Sequence, residues 1–216
     1  MRPSKIRFLG FSLVLLVFGA CGSLLNLEDF HRVPIQKETF ALNPYFSETG
    51  ETHVYNAEIS VYGKNFSGTF VHKKMNDTLQ RAAFLSGFGN TLLDLSFNKD
   101  YFKLNYGIKE IDKKYIVTTL VEDFRLMTIP VRKVAEIYEN PTKKVLKTAT
   151  GKGFVYYFFD KKTQRLVKLV KTSARKKKVS VYFSNFNGER PRTIKIAHHG
   201  LKLTISLNAK PKAYVD

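Results

Sequence analysis

The reactive side chains in this sequence are few: one cysteine, five histidines and scattered serines. Cys21 ends the run Leu13-Val14-Leu15-Leu16-Val17-Phe18-Gly19-Ala20-Cys21. Arg2, Lys5 and Arg7 precede it as a basic region, residues 8–18 are almost wholly apolar, and Gly19 and Ala20 are the small residues that a processing enzyme needs before its cut. An apolar run this short cannot span a hydrocarbon core, which needs roughly 20 residues. The pattern reads as a secretory leader whose terminal cysteine is acylated after cleavage, so that a lipid on Cys21 tethers the chain. Phe18 stands three positions before the cysteine, where Leu is commoner. An ordinary secretory leader with an incidental cysteine, or a signal anchor, is the alternative. The expected organisation is a leader at 1–20, the lipidated cysteine with a tether at 21–50, and one folded domain at 51–216.

No other constellation points to catalysis. His31, His53, His72, His198 and His199 are dispersed, and neighbours on a strand point to opposite faces, so His198 and His199 do not ligate one metal together. These histidines are expected to be exposed or half-buried. Gly151-Lys152-Gly153 lacks the spacing of a phosphate loop and reads as a turn. Ser60 and Ser86 sit in no G-x-S-x-G, and Glu122 and Asp123 read as solvated helix surface. The expectation is a protein that is not an enzyme, with no cofactor and no metal. With its one thiol committed to lipid, the domain would also have no disulfide.

The chain holds 36 Lys and Arg against 18 Asp and Glu, a net charge of +18, of which +15 lies beyond the leader. Such a field favours anionic surfaces. For an exported chain these are lipid headgroups or an acidic protein rather than nucleic acid. The basic residues are scattered, and the densest run, 175–178, reads as a solvated turn.

About 195 residues after the leader suffice for one domain with a sizeable core. Residues 22–50 show no sustained periodicity beyond a helical start around 24–30. From His53 the apolar residues alternate with period two and turn signals recur about every ten residues, as in an antiparallel meander. Strands are expected at 53–61, 67–73, 79–85, 93–97, 102–106, 154–160, 165–172, 179–185, 193–198 and 201–207. One interruption shows helical spacing: Leu120, Val121, Phe124 and Met127 mark a helix over 117–127. Pro130 suits the first turn of a second, with Val134 and Ile137 on its stripe. The fold class is mainly β: a single antiparallel sheet of about 10–11 strands curled into an unclosed barrel, with an α-helical lid.

A sheet of that size must curl to hide its edges. Its inner face would carry Tyr55, Ile59, Phe70, Leu93, Leu95, Phe97, Leu104, Tyr106, Phe154, Tyr156, Phe158, Phe183 and Leu203. Small barrels either fill with side chains or hold an apolar ligand, and periodicity does not distinguish the two. A lid made of Leu120, Phe124, Val134 and Ile137 would cover the open side. At the tip between the third and fourth strands stands Gly87-Phe88-Gly89, where tips are normally polar. Phe88 either projects or folds back onto the barrel.

The stretch from Arg81 through Phe88 to Leu95 resembles the outer-membrane lipoprotein receptor LolB family. So do Ile129-Pro130-Val131 with Val134 and Ile137, the pair of Ile194 and Ile196, the final Leu201-Lys202-Leu203-Thr204-Ile205, and the lipidation signal ending at Cys21. The resemblance covers about residues 53–208. It implies an unclosed barrel under a helical lid, acyl chains bound in the cavity between them, and a protruding apolar residue used in membrane delivery, which falls on Phe88. Gly87 and Phe88 replace the Pro and Leu common in that family, and the Trp its members use near the lid is missing. The implied role is to take acylated lipoproteins from a LolA-like periplasmic carrier and deliver them to the outer membrane. The protein would be a monomer, lipid-anchored on the periplasmic side. A filled-core scaffolding lipoprotein and a binder of another envelope lipid are the competing roles.

Overall fold

The computed structural model describes residues 25–128 and 131–210. The leader, Cys21 and Pro130 lie outside them. Two short strands, β1 (His31–Val33) and β2 (Phe40–Leu42), and a 3-10 turn at Pro44–Phe46 come first. Five strands follow: β3 (Thr52–Val61), β4 (Lys64–Asn76), β5 (Leu79–Ser86), β6 (Thr91–Phe97) and β7 (Phe102–Gly107). After the helix α1 (Lys114–Thr128) come β8 (Val131–Glu139), β9 (Lys143–Thr150), β10 (Gly153–Asp160), β11 (Leu166–Ser173), β12 (Lys177–Asn187), β13 (Arg190–His198) and β14 (Leu203–Ala209). All pairings are antiparallel, in the order β1-β8-β9-β10-β11-β12-β13-β14-β3-β4-β5-β6-β7, with β2 also on β8. The two ends of this path, β1 and β7, do not pair with each other, so the sheet curls without closing. The expected class therefore holds, with fourteen strands rather than about ten.

The strict alternation of β3 is the local reason for its role. Its burial pattern is perfectly two-periodic, with Tyr55, Ala57, Ile59 and Val61 inward. It joins β14 to β4 at the centre of the sheet, the one long-range pairing that unites the two halves. Hairpin turns then fall on two rims. The upper rim carries the turns after β3, β5, β9, β11 and β13, and the chain leaves β7 there for α1. The lower rim carries the turns after β4, β6, β8, β10 and β12.

The expected second helix is a strand. Val134 and Ile137 are both buried because the β8/β9 register slips between Val134 and Glu136, placing Ala135 in a bulge. A bulge sets two inward residues three apart instead of two, which imitates helical spacing. Val134 and Ile137 thus belong to the sheet and not to a lid.

Residues read as a tether are folded into the domain. Where a helical start was expected, residues 25–30 form no helix; the amide of Phe30 closes a turn on the Leu27 carbonyl at 3.0 Å. β1 and β2 cover the free edge of β8, as exposed edges require. Ala41, Tyr45 and Phe46 are buried in the main core, and the Tyr45 hydroxyl donates to the Leu166 carbonyl at 2.7 Å.

The main core lies between the concave face and α1, whose Ile116, Val117, Leu120, Val121, Phe124, Leu126 and Met127 are buried. The Phe124 ring sits 5.1 Å from Phe70 and 6.2 Å from Phe97. Phe124→Ala should lower unfolding free energy by about 3–5 kcal/mol, measured as a shift in the urea midpoint. A loss below about 1 kcal/mol would mean the helix is not packed as described.

Candidate functional site

The sequence-predicted inner face divides into three groups. Tyr55, Ile59, Phe70, Leu93, Leu95, Phe97, Phe183 and Leu203 are buried together on the concave face with Leu120 and Phe124 of α1, and Leu104 packs against them. Phe154, Tyr156 and Phe158 face the other way. They cluster on the convex side with Val145 and Val170 under Leu25, Leu27 and Phe30, while Val155, Tyr157 and Phe159 of the same strand point inward. Tyr106 is 52% exposed. The β6/β7 register slips between Asp94 and Leu95, so Asn105 is the extra residue and Tyr106 is carried to the outer face opposite Asp94.

Polar side chains latch α1 into the concavity. Asp123 is fully buried and its carboxylate lies 2.8 Å from His198 Nε2. Burial holds the Asp123 carboxyl above its ordinary range, against the pull of His198. One residue earlier, Glu122 accepts from Lys171 at 2.7 Å and Arg125 at 3.0 Å. Burial pushes Glu122 up, but these two cations outweigh it and hold the carboxyl low. Arg125 Nε also donates to the Asn98 carbonyl at 2.7 Å, and the Asn43 side-chain amide donates to the Met127 carbonyl at the helix end. Glu122 is half-exposed, whereas Asp123 is a buried partner and not solvated surface. His198 of β13, Lys171 of β11 and Asn98 of the β6/β7 turn are far apart in sequence and converge on one helical turn, which no local pattern announces.

Beside the C-terminal half of α1 opens a cleft of about 310 Å³. Leu126 and Val155 form its apolar part, and Lys99, Arg125, Arg132, Lys152 and Lys171 stand around it with Glu122. The Nη2 of Arg125 is buried and makes no hydrogen bond among the described residues.

The loop tip is shaped to project. The Ser86 amide donates to the Asn90 carbonyl at 2.8 Å, the Gly89 amide to the Ser86 carbonyl at 3.0 Å, and the Asn90 amide to Ser86 Oγ at 3.1 Å. Gly89 takes φ +82°, which a side chain resists. Phe88 is left 95% exposed. Of the two readings of this residue, projection is the geometry present.

Two histidines expected to be exposed or half-buried lie in the core instead. His53 and His72 are cross-strand neighbours, ring centres 5.8 Å apart, both packed on Phe46. His72 Nε2 meets Gln80 Oε1 at 2.8 Å. Burial lowers the His53 pKa and lowers that of His72 to about 4. On the outer face His199 Nε2 lies 2.8 Å from Ser180 Oγ. The serine is buried, and burial together with Lys177 and Lys168 lowers the imidazole's pKa. Among the described residues no carboxylate orients His199, so there the pair lacks the third member of a hydrolytic triad. Among the described residues no three His, Cys, Asp or Glu side chains converge as a metal site.

No protein-family model and no curated protein matches the sequence. Solved structures do match in fold. A LolA superfamily protein from Nitrosomonas europaea superposes with a TM-score of 0.50 at 6% identity, covering 77% of this chain and 87% of that one. A putative outer membrane lipoprotein-sorting protein domain from Vibrio parahaemolyticus gives 0.43 at 8% identity, over 79% and 89%. A DUF1329 family protein from Desulfovibrio piger gives 0.41 at 8%, over 78% and 89%. The likeness to the first establishes a LolA-like fold for this chain.

The buried histidines set a pH dependence. Both stay neutral in the fold, while in the unfolded chain they titrate near 6.5. As pH falls from 6.5 towards 4, the unfolded state gains protons that folded His72 refuses, so stability is present above 6.5 and is lost through that window. His72→Gln should flatten this loss by up to roughly 3 kcal/mol, read from denaturation midpoints at neutral and acid pH. An unchanged slope would place the titration elsewhere.

Proposed function

We propose that this protein binds the acyl chains of lipoproteins beneath α1 and delivers them to a membrane, as a receptor of the LolB kind. Cys21 carries its lipid anchor after the leader at 1–20 is removed, and the domain faces the periplasm from the outer membrane. It works as a monomer, and its donor is a soluble LolA-like carrier. The observation that carries the reading is that α1, with Tyr45 and Phe46 beside it, fills the concavity of an unclosed, LolA-like half-barrel.

Magnitudes make the exchange feasible. Seven buried side chains of α1, at about 1.5–3 kcal/mol each, are worth roughly 10–20 kcal/mol. A chain of roughly 15 methylenes at about 0.8 kcal/mol apiece gains about 12. Ligand and helix face are therefore comparable occupants of the same groove. The latches of Asp123 and Glu122 then set how readily the helix yields. Transfer runs downhill to the bilayer without ATP, because the bilayer holds acyl chains best. Phe88 dips into the interface during release, gaining about 1.5–3 kcal/mol on burial.

A specific observation favours a second ligand class. The basic surround of the cleft, with Lys99, Arg132 and Lys152, suits an anionic headgroup, as on a phospholipid, better than the uncharged acylated cysteine of a lipoprotein. Native mass spectrometry of the purified domain separates the two: a co-purifying phospholipid of defined mass supports the second ligand.

Phe88→Glu should abolish release of a bound lipoprotein into vesicles while leaving uptake from the carrier unchanged; loss of uptake would make Phe88 structural. Asp123→Ala, which frees one latch, should raise the fluorescence of an apolar dye several-fold by exposing the groove. An unaltered signal would count against a moving helix. Depletion of the protein in its own bacterium should stall lipoproteins before the outer membrane.

A further inference from the structure

The upper rim carries more than the Phe88 loop. At the β3/β4 turn Tyr62 takes φ +47° and Gly63 φ +83°. A two-residue hairpin turn with both φ positive prefers Asn, Asp or Gly at its first position, and a bulky residue there is strained. Strain of this kind is retained where the side chain has a use at the surface. The Tyr62 ring is 51% exposed and stands 6.0 Å from the ring of Tyr115, itself 52% exposed, at the start of α1. The Tyr62 amide donates to the Lys202 carbonyl at 2.8 Å, which brings in the β13/β14 turn with Leu201, 41% exposed. That turn is tied in the same way to the next, the His199 amide donating to the Lys178 carbonyl at 2.8 Å.

The charges on these segments are of one sign. Tyr62-Gly63-Lys64, Lys113-Lys114-Tyr115, Ala174-Arg175-Lys176-Lys177-Lys178 and His199-Gly200-Leu201-Lys202 contain eight Lys and Arg and no acidic residue. Glu110 and Asp112, just ahead of α1, are the nearest acids in sequence. Among the described residues none of the eight is in an ion pair. The lower rim is built differently: Lys74 meets Asp77 at 3.1 Å, Lys143 meets Asp160 at 2.6 Å, Arg165 meets Glu189 at 3.8 Å and Arg190 meets Glu48 at 3.6 Å. Four lower-rim cations are thus paired with acids, whereas these eight upper-rim cations are not, and Tyr62, Tyr115 and Leu201 stand exposed among them.

We infer that this basic, tyrosine-tipped rim docks on a bilayer surface rich in anionic phospholipid, with Tyr62, Tyr115 and Leu201 at headgroup depth and the lysines on the phosphates. Tyrosine suits that depth because its ring is apolar and its hydroxyl stays wet. Lysines near an anionic surface each add about fivefold to partitioning. The inference rests on the membrane-delivery reading and names the partner of the whole rim, not of the loop alone. With Phe88 one hairpin along, the rim would hold the domain on edge against the membrane.

The chain contains no Trp, so single-Trp variants of the full chain, anchored in vesicles containing brominated lipid, report depth. Tyr62→Trp and Leu201→Trp should be quenched several-fold more than Tyr101→Trp, a control on the lower rim. The difference should appear in vesicles with phosphatidylglycerol and vanish in zwitterionic ones. Adding Lys64→Glu, Lys113→Glu, Lys114→Glu and Lys202→Glu should reduce quenching to the control level. The two lipid compositions decide the anionic requirement without that variant, so poor folding of the quadruple change leaves the test standing. Quenching that ignores phosphatidylglycerol overturns the inference, as does equal quenching on both rims. Phe88→Trp separates the two readings. If it is quenched while Tyr62→Trp and Leu201→Trp are not, the loop inserts alone and the rim faces something else, such as an acidic protein. If none of the three is quenched, membrane delivery through this side fails as well.

Discussion

An antiparallel sheet that curls but does not close leaves an apolar concave face that water must not reach, and the burial of α1 against that face is what the rest of this structure depends on. The helix fills the space with Leu120, Val121, Phe124 and Met127 and brings Asp123 to a buried histidine. A buried carboxylate is tolerated only with a partner, so His198 fixes one rotational setting of the helix. The Glu122 contact to Lys171 and the Arg125 contact to the Asn98 carbonyl pin the same turn from the solvent side. Packing thus supplies most of the attraction, and polar contacts supply the register.

This division has a functional corollary within the proposed reading. Apolar packing is non-directional, so an acyl chain replaces it readily, whereas each latch needs particular polar partners and must break as a unit. Affinity would then be tuned by the groove and readiness to open by the latches.

Much of the fold was legible from alternation alone. Ten of the fourteen strands and the position of α1 follow from period-two runs and one helical stripe. What escaped has identifiable physical causes. The bulge at Ala135 gave β8 a spacing of three, and the extra residue Asn105 turned Tyr106 outward. In β10, Phe154-Val155-Tyr156-Tyr157-Phe158-Phe159 is apolar on both faces, since Leu25, Leu27 and Phe30 cover the convex side. With no polar alternation, the sequence held no information on which face was inner. β1, β2 and β9 are short or lysine-rich and are recruited by an edge rather than by their own pattern. Of the site, exposure of Phe88 was foreseeable because a glycine-flanked tip leaves a ring nothing local to pack on. The Asp123 and His198 contact spans 75 residues and had no local signature.

The burial of Leu25 on the convex face sets a length as well as a contact. Only residues 22–24 separate it from Cys21. Four residue steps reach at most about 14 Å even fully extended. With a lipid on Cys21, as proposed, the domain is leashed at roughly a third of its own diameter from the bilayer and cannot sweep the surrounding space. Any soluble donor must come to the membrane to meet it, and capture would scale with the donor's diffusion rather than with the receptor's reach.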